Sequence, residues 1–223
     1  VDIARSSSAH LVPVNVTYDF VGTSVLVSIA FTTGDAMGSN MASRAIALVS
    51  GYIKDNCPCV VDAFVPYPED KKNVPARLKG KKVIARTVVR AEVLERLGRV
   101  SPRAVVSYVG HYKNMLALHG SSSLNIHAVN GMAAMFQAFG QDMAYLGECS
   151  KALVDCQVLP CGALEMSVTL PTLIVGTVGG GTGLPAFRAT LSMVDCYGAG
   201  KARKLAEIMA AVVLGGEISC AAA

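Results

Sequence analysis

The sequence predicts an α+β fold in two domains, residues 1–66 and 67–223. Three observations lead there. Apolar, β-branched runs at 11–18 and 24–31 are joined by a turn holding Gly22, which reads as a β-hairpin. Helical spacing follows, with Met41, Ala45, Ile46, Leu48, Val49 and Ile53 on one face. Two glycine-rich junctions, 33–41 and 176–183, each follow an apolar strand-like run. A junction of small residues opening a helix aims backbone N–H groups and a positive helix end at an anion. Two such cradles in one chain suggest an enzyme that uses a dinucleotide or coenzyme.

In chain order, the hairpin, a helix at 40–54 and a strand at 59–65 make a small α+β layer. Residues 66–82 are a charged, proline-containing loop. A strand at 83–89 and a short helix at 90–97 come next, then a serine turn and helix cap at 121–123. Residues 125–147, lined with Ala, Met and Phe, form the longest helical stretch and the centre of the larger α/β domain. A strand at 161–170 and the run 173–178 lead into the second glycine cluster. Helices at 185–195 and 201–214 complete the chain, the last with Leu205, Ile208, Met209 and Val212 on one face.

Apolar residues make up 52% of the 223 and charged residues only 16%. That balance excludes disorder, requires a large buried core, and points to further burial in an oligomer. A net charge of +4 suits a binder of anionic small molecules. Nucleic acid is not expected as a partner, since no basic patch is interleaved with aromatics and Trp is absent. Seven cysteines form no regular framework. Cys57-Pro58-Cys59 is too tight for a zinc ribbon and no second pair answers it, so no metal is expected. The thiols are expected to be reduced, buried and cytoplasmic. No apolar run reaches the roughly 18–20 residues of a membrane span. The N-terminus carries neither a signal-peptide core nor an initiator Met, as a piece of a longer polypeptide would; an anchor upstream of Val1 stays open.

Each candidate motif has a plain alternative. Asp35 reads as a nucleotide contact or as an ordinary N-cap. The 176–183 cluster lacks the Gly-Lys-Ser/Thr of a P-loop, and Pro185 interrupts a Rossmann-like Gly181-Thr182-Gly183; it is a cradle or a flexible turn. Asp70-Lys71-Lys72 is a solvated charge run or the carrier of an oxyanion-stabilising lysine. Asp142, after Gly140, is a surface carboxylate or a buried one tuning a lysine. His127 and Asn130 share a helix face, and His127 alone is as well read as a satisfied polar residue.

Taken together, these segments resemble the hydroxymethylglutaryl-CoA reductase family. Gly-Asp-Ala-Met-Gly-Ser-Asn-Met, Asp-Lys-Lys, Asn-Ile-His-Ala-Val-Asn, Gly-Gln-Asp-Met-Ala and Leu-Pro-Thr-Leu-Ile-Val-Gly-Thr-Val-Gly-Gly-Gly-Thr occur in the family's order, and Gly-Gly-Glu-Ile-Ser closes the chain similarly. The likeness spans about 25–223, and the Asp-Lys-Lys loop points to the NADPH-using branch. It implies an oxidoreductase that converts 3-hydroxy-3-methylglutaryl-CoA to mevalonate, for isoprenoid biosynthesis, with two hydrides from two NADPH. The route passes through a hemithioacetal and an aldehyde. It also implies a small ferredoxin-like NADP(H)-binding domain, incomplete here, and a larger CoA- and substrate-binding domain. HMG-CoA, CoA and further copies of the chain, as a homodimer or tetramer, are the implied partners.

By the same resemblance, Lys71 is the catalytic lysine that stabilises the oxyanion, and Asp142 is the carboxylate that holds and tunes it. Asp35, Met37, Gly38, Asn40 and Met41, with Val178, Gly179, Gly180 and Gly181, match cofactor-contacting positions. Asp70, Lys72, Lys113, His127 and Asn130 match positions around the substrate, the lysines suiting its free carboxylate. Three positions depart from the pattern: Phe64 stands where a substrate-binding serine is expected, and Ser39 and Ile174 where Met and Glu are commoner. The family's Glu-Asn-x-Ile-Gly glutamate and tail histidine have no counterpart among these 223 residues. That leaves a second expectation, a catalytically incomplete fragment or relative serving as a nucleotide- or CoA-binding or oligomerisation module.

Overall fold

In the computed structural model, residues 1–21, 24–63 and 79–223 are described. Asp70, Lys71 and Lys72, and with them Phe64, lie outside the described residues. The chain divides into two units, Val1–Pro68 and Glu69–Ala223. Both are mixed α/β with small antiparallel sheets.

In the first unit, helix α1 (Asp2–Ser6) leads into strands β1 (Val12–Val21) and β2 (Ser24–Thr32). They pair antiparallel, Val16 opposite Ile29 and Tyr18 opposite Val27, with a register shift between Pro13 and Asn15. Helix α2 (Ser39–Asn56) follows. Ala4, Leu11 and Ala45 are buried together, with Phe31, Met41, Ala42 and Val49 against them. The strand expected at 59–65 does not form over its described part, residues 59–63. Local bonds compete there with a ladder: the Val60 N–H donates to Cys57 O, the Ala63 N–H donates to Asp62 Oδ1, and Lys54 pairs with Asp62 at 3.1 Å.

The second unit is built on a three-stranded sheet of order β3-β5-β4, made of Lys81–Val89, Leu164–Leu173 and Leu153–Val158. Strand β5 is central and alternates. Leu164, Met166, Val168 and Leu170 face the core without exposure, while Glu165 on the other face pairs with Arg86 and Gln157. Helices α3 (Ala91–Gly98) and α4 (Pro102–Leu118) lie between β3 and the next helix, α5 (Ala128–Ala138). Ser101 caps α4, accepting from the Ala104 N–H, and Pro102 opens its first turn.

The 125–147 stretch is not one helix. It holds α5, a 3-10 turn (Met143–Tyr145) and the short α6 (Leu146–Cys149). Gly140 breaks it, with φ +62 and a missing Cβ that would lie 2.5 Å from the Phe187 ring. Helix α7 (Pro185–Met193) follows the glycine cluster, and the longest helix is α8 (Ala202–Ala221). Its buried stripe runs through Leu205, Met209, Val213 and Glu217. Val212, expected on that face, is 47% exposed. All seven cysteines are free, but only Cys149 and Cys196 are buried. Among the described residues, no helix is long and apolar enough to cross a membrane, and no cluster of residues could hold a metal ion.

Candidate active site

In the first unit, the turn between β2 and α2 is closed by Thr33, whose hydroxyl donates to Ala36 O at 3.0 Å. Gly38 is the N-cap of α2 at φ +90, with no side-chain cap. A Cβ there would fall 2.3 Å from the Thr33 side chain, so only glycine fits. Asp35 is therefore not the cap. Asp35 and Met37 are half-buried in the turn and Asn40 is exposed on the first helical turn. Met41 packs on the core and accepts a hydrogen bond at Sδ from the Ser8 hydroxyl.

In the second unit, the glycine cluster leaves β5 and is fastened from two sides. The Gln141 carboxamide brackets Gly176: Oε1 accepts the Gly176 N–H at 2.9 Å, while Nε2 donates to Gly176 O at 3.0 Å. Nε2 also donates to Phe139 O at 2.9 Å. Thr177, fully buried, donates its hydroxyl to Gly198 O at 2.7 Å and accepts the Gly198 N–H at 3.0 Å. Past these fixed points the backbone opens. Gly179 and Gly180 have φ of +74 and +55, and a Cβ added at either would meet nothing within 4 Å. The chain then makes one 3-10 turn, Gly180–Gly183, into α7. The Gly179 carbonyl is taken by the Thr182 hydroxyl and N–H, while positive φ and open space where side chains would stand are what close approach to a pyrophosphate requires, so these glycines fit a dinucleotide.

Asp142 stands beside this loop. A Cβ at Gly181 would lie 3.4 Å from Gly140 O, two residues before Asp142. Asp142 is half-buried, not fully buried, and its Oδ1 accepts the Ala144 N–H at 3.0 Å. An ion pair forms a few residues further along the chain. Glu148 is fully buried and pairs with Lys79 at 3.3 Å. Lys79 also sits 5.5 Å from the centre of the Tyr145 ring. Next to Glu148, burial above all pushes the Cys149 thiol up to about 12, with Glu148 and Asp142 adding to the rise and the Ile174 hydrogen bond and Lys79 opposing it.

His127 is the N-cap of α5. The carboxylate of Glu217, without exposure, accepts the N–H of Ile126 at 2.8 Å and of His127 at 2.7 Å. The His127 ring fits against two glycines, since a Cβ at Gly216 would lie 2.0 Å from its Cδ2 and one at Gly131 3.2 Å from its Nε2. Cys220 Sγ is 3.7 Å from Nδ1. Asn130 is exposed on the first turn of α5. Lys113, on α4, pairs with Asp155 of β4 at 3.6 Å.

The structure thus sets Gly140 and Gln141, the residues just before Asp142, against the glycine loop, and His127 against the end of α8. Sequence reasoning missed Gln141, Thr177, Glu148, Lys79 and Glu217. Glu217 had a readable signal: it falls four residues after Val213 on an otherwise apolar helix stripe, where a carboxylate needs partners.

The sequence profile of the family described as Hydroxymethylglutaryl-coenzyme A reductase matches residues 2–223. The chain belongs to the hydroxymethylglutaryl-coenzyme A reductase family. Among its reductase relatives, the 3-hydroxy-3-methylglutaryl-coenzyme A reductase of Pyrococcus abyssi is 36% identical over 215 residues, covering 91% of this chain and 52% of the relative. That of Halobacterium salinarum is 36% identical over 233 residues, covering 99% and 56%. Reductase 1 of Arabidopsis thaliana is 35% identical over 215 residues, covering 89% and 36%. The fold is similar to a solved class II 3-hydroxy-3-methylglutaryl-CoA reductase from Streptococcus pneumoniae bound to NADPH, with a TM-score of 0.70 at 18% identity over 99% of this chain and 56% of that one. The chain spans about half the length of the archaeal reductases it matches.

Proposed function

We propose that this chain is part of an NADPH-dependent reductase that converts 3-hydroxy-3-methylglutaryl-CoA to mevalonate. The observation that carries this reading is the packing of the Asp142 loop against the 176–183 glycine loop, in a chain of this family. Residues 1–66 are the small NADP(H)-binding domain, part of a ferredoxin-like layer, and 67–223 the larger CoA- and substrate-binding domain. Asp35, Met37, Gly38, Asn40 and Met41 in the first, and Val178, Gly179, Gly180 and Gly181 in the second, are the residues that would hold NADPH. When bound, NADPH supplies the hydride.

The chain's own side chains supply position and charge. Lys71 donates to the oxygen that becomes negative when the thioester carbonyl is reduced, and Asp142 keeps that ammonium protonated and aimed. Asp70, Lys72, Lys113, His127 and Asn130 surround the substrate, Lys72 and Lys113 facing its carboxylate. The protein works in the cytoplasm as a homodimer or tetramer, in keeping with its sparse charge.

The test follows NADPH oxidation with HMG-CoA in the intact protein, comparing wild type with Lys71→Ala and Asp142→Asn. Losing the oxyanion donor is expected to raise the barrier by about 3–4 kcal/mol, a drop of several hundredfold in kcat. Turnover indifferent to both substitutions refutes these roles.

A further inference from the structure

Gln141 spends its side chain on holding backbone. It is 6% exposed, and three hydrogen bonds of 2.9–3.0 Å engage both ends of its carboxamide. Two of them close on the N–H and C=O of a single residue, Gly176, as a neighbouring strand would. The third runs to Phe139 O, in the turn that breaks the chain at Gly140. On one side of this clamp, three residues on from Gly176, begin Gly179 and Gly180, where an added Cβ would meet open space. On the other side, next in sequence, is Asp142. A buried carboxamide used only for solubility or capping would not bridge 35 residues in this way.

We propose that Gln141 is a positioning residue that locks the cofactor cradle and the Asp142 carboxylate into one register. This rests on the reading of 176–183 as the NADPH cradle. The orientation of the amide is decisive: an acceptor must face the Gly176 N–H, and a donor must face the two carbonyls. Leucine fills similar space and supplies neither. Glutamate supplies the acceptor but, when ionised, turns a second oxygen on Gly176 O and Phe139 O; protonation restores one donor.

The experiment uses the intact protein with Gln141→Leu and Gln141→Glu, measuring NADPH affinity by fluorescence titration and KM and kcat for both substrates between pH 5.5 and 8.5. Misplacing the cradle is expected to weaken NADPH binding roughly ten- to a hundredfold. The KM for HMG-CoA should stay within about twofold in the same variants, because Lys113 and His127, two of the residues assigned to that substrate, are held by Asp155 and Glu217 instead. Gln141→Glu should recover NADPH affinity as the pH falls, relative to wild type at the same pH. Unchanged NADPH affinity, an equal loss for both substrates, or a Gln141→Glu profile parallel to wild type overturns the proposal. Should Gln141→Leu fail to fold, the low-pH recovery of Gln141→Glu decides alone. A wild type that neither binds NADPH nor reduces HMG-CoA overturns the functional reading itself, and this proposal with it.

Discussion

Replacing Glu217 with glutamine changes one atom and little volume, so its cost isolates the hydrogen bonding of a buried carboxylate. The wild-type side chain is fully buried and accepts two backbone N–H groups at 2.8 and 2.7 Å where α5 begins. Hydrogen bonds to a charged group contribute about 1.5–3 kcal/mol each. The amide keeps one acceptor but turns an NH2 toward the second N–H, which is left unsatisfied. Relief from burying a carboxylate offsets part of this loss, leaving an expected destabilisation of about 2–4 kcal/mol. Urea unfolding followed by far-UV circular dichroism measures it, with Glu207→Gln as control. Glu207 is exposed on the same helix, so its substitution should move stability by no more than about 0.5 kcal/mol. Equal stability of the two variants would show that the paired N–H bonds at α5 contribute nothing beyond surface charge.

Two further outcomes are expected. Cys149 has a folded pKa near 12 against a reference of 9.0, so the fold favours the neutral thiol. Its stabilising contribution is complete below pH 9 and is lost as pH rises through 12, by about 1.4 kcal/mol per unit. The stability gap between wild type and Cys149→Ala should therefore shrink between pH 8 and 10.5, and a constant gap refutes this. Gly216→Ala places a methyl 2.0 Å from His127 Cδ2, forcing the ring to move; overpacking of this kind costs about 1–3 kcal/mol. Denaturation together with KM for HMG-CoA tests it, and no change in either means that the imidazole position is not set by this glycine.

Local patterning made most of the elements readable. The hairpin, α2, β3, α3 and α7 form within a few residues of the expected bounds, and α8 starts where expected but runs seven residues past the expected end at 214. The failures have local causes. Residues 125–147 are apolar enough for one helix, yet a positive φ at Gly140 and the Asp142 cap bond interrupt it. The run at 59–65 has strand composition, but its described part bonds to itself and to Lys54. Strand β4 is short and weakly patterned. The helix at 102–118, by contrast, carried a Ser-Pro start signal that was there to be read. Within the candidate site, residue types in motifs were legible, while the fasteners were not. Gln141 lies 35 residues from the peptide it brackets, and Glu217 90 residues from His127.

Those fasteners share one design. Gln141, Thr177 and Glu217 bond to peptide groups rather than to other side chains, each at a place where the chain leaves regular structure: the exit from β5, the glycine cluster and the start of α5. Such places carry backbone donors and acceptors that no ladder satisfies, and burying them unpaired would cost about 1–3 kcal/mol apiece. Within the glycine loop, Thr182 donates its hydroxyl back to Gly179 O at 2.7 Å, but the exit from β5 at Gly176 finds no such partner in the loop and bonds to Gln141. The loop's base is held by the Gln141 carboxamide from elsewhere in the sequence and by its own Thr177 hydroxyl, which reaches out to Gly198 O. In the cradle proposed above, the glycines leave room for a ligand, while the buried amide and hydroxyl stop the same freedom from dissolving the loop's shape.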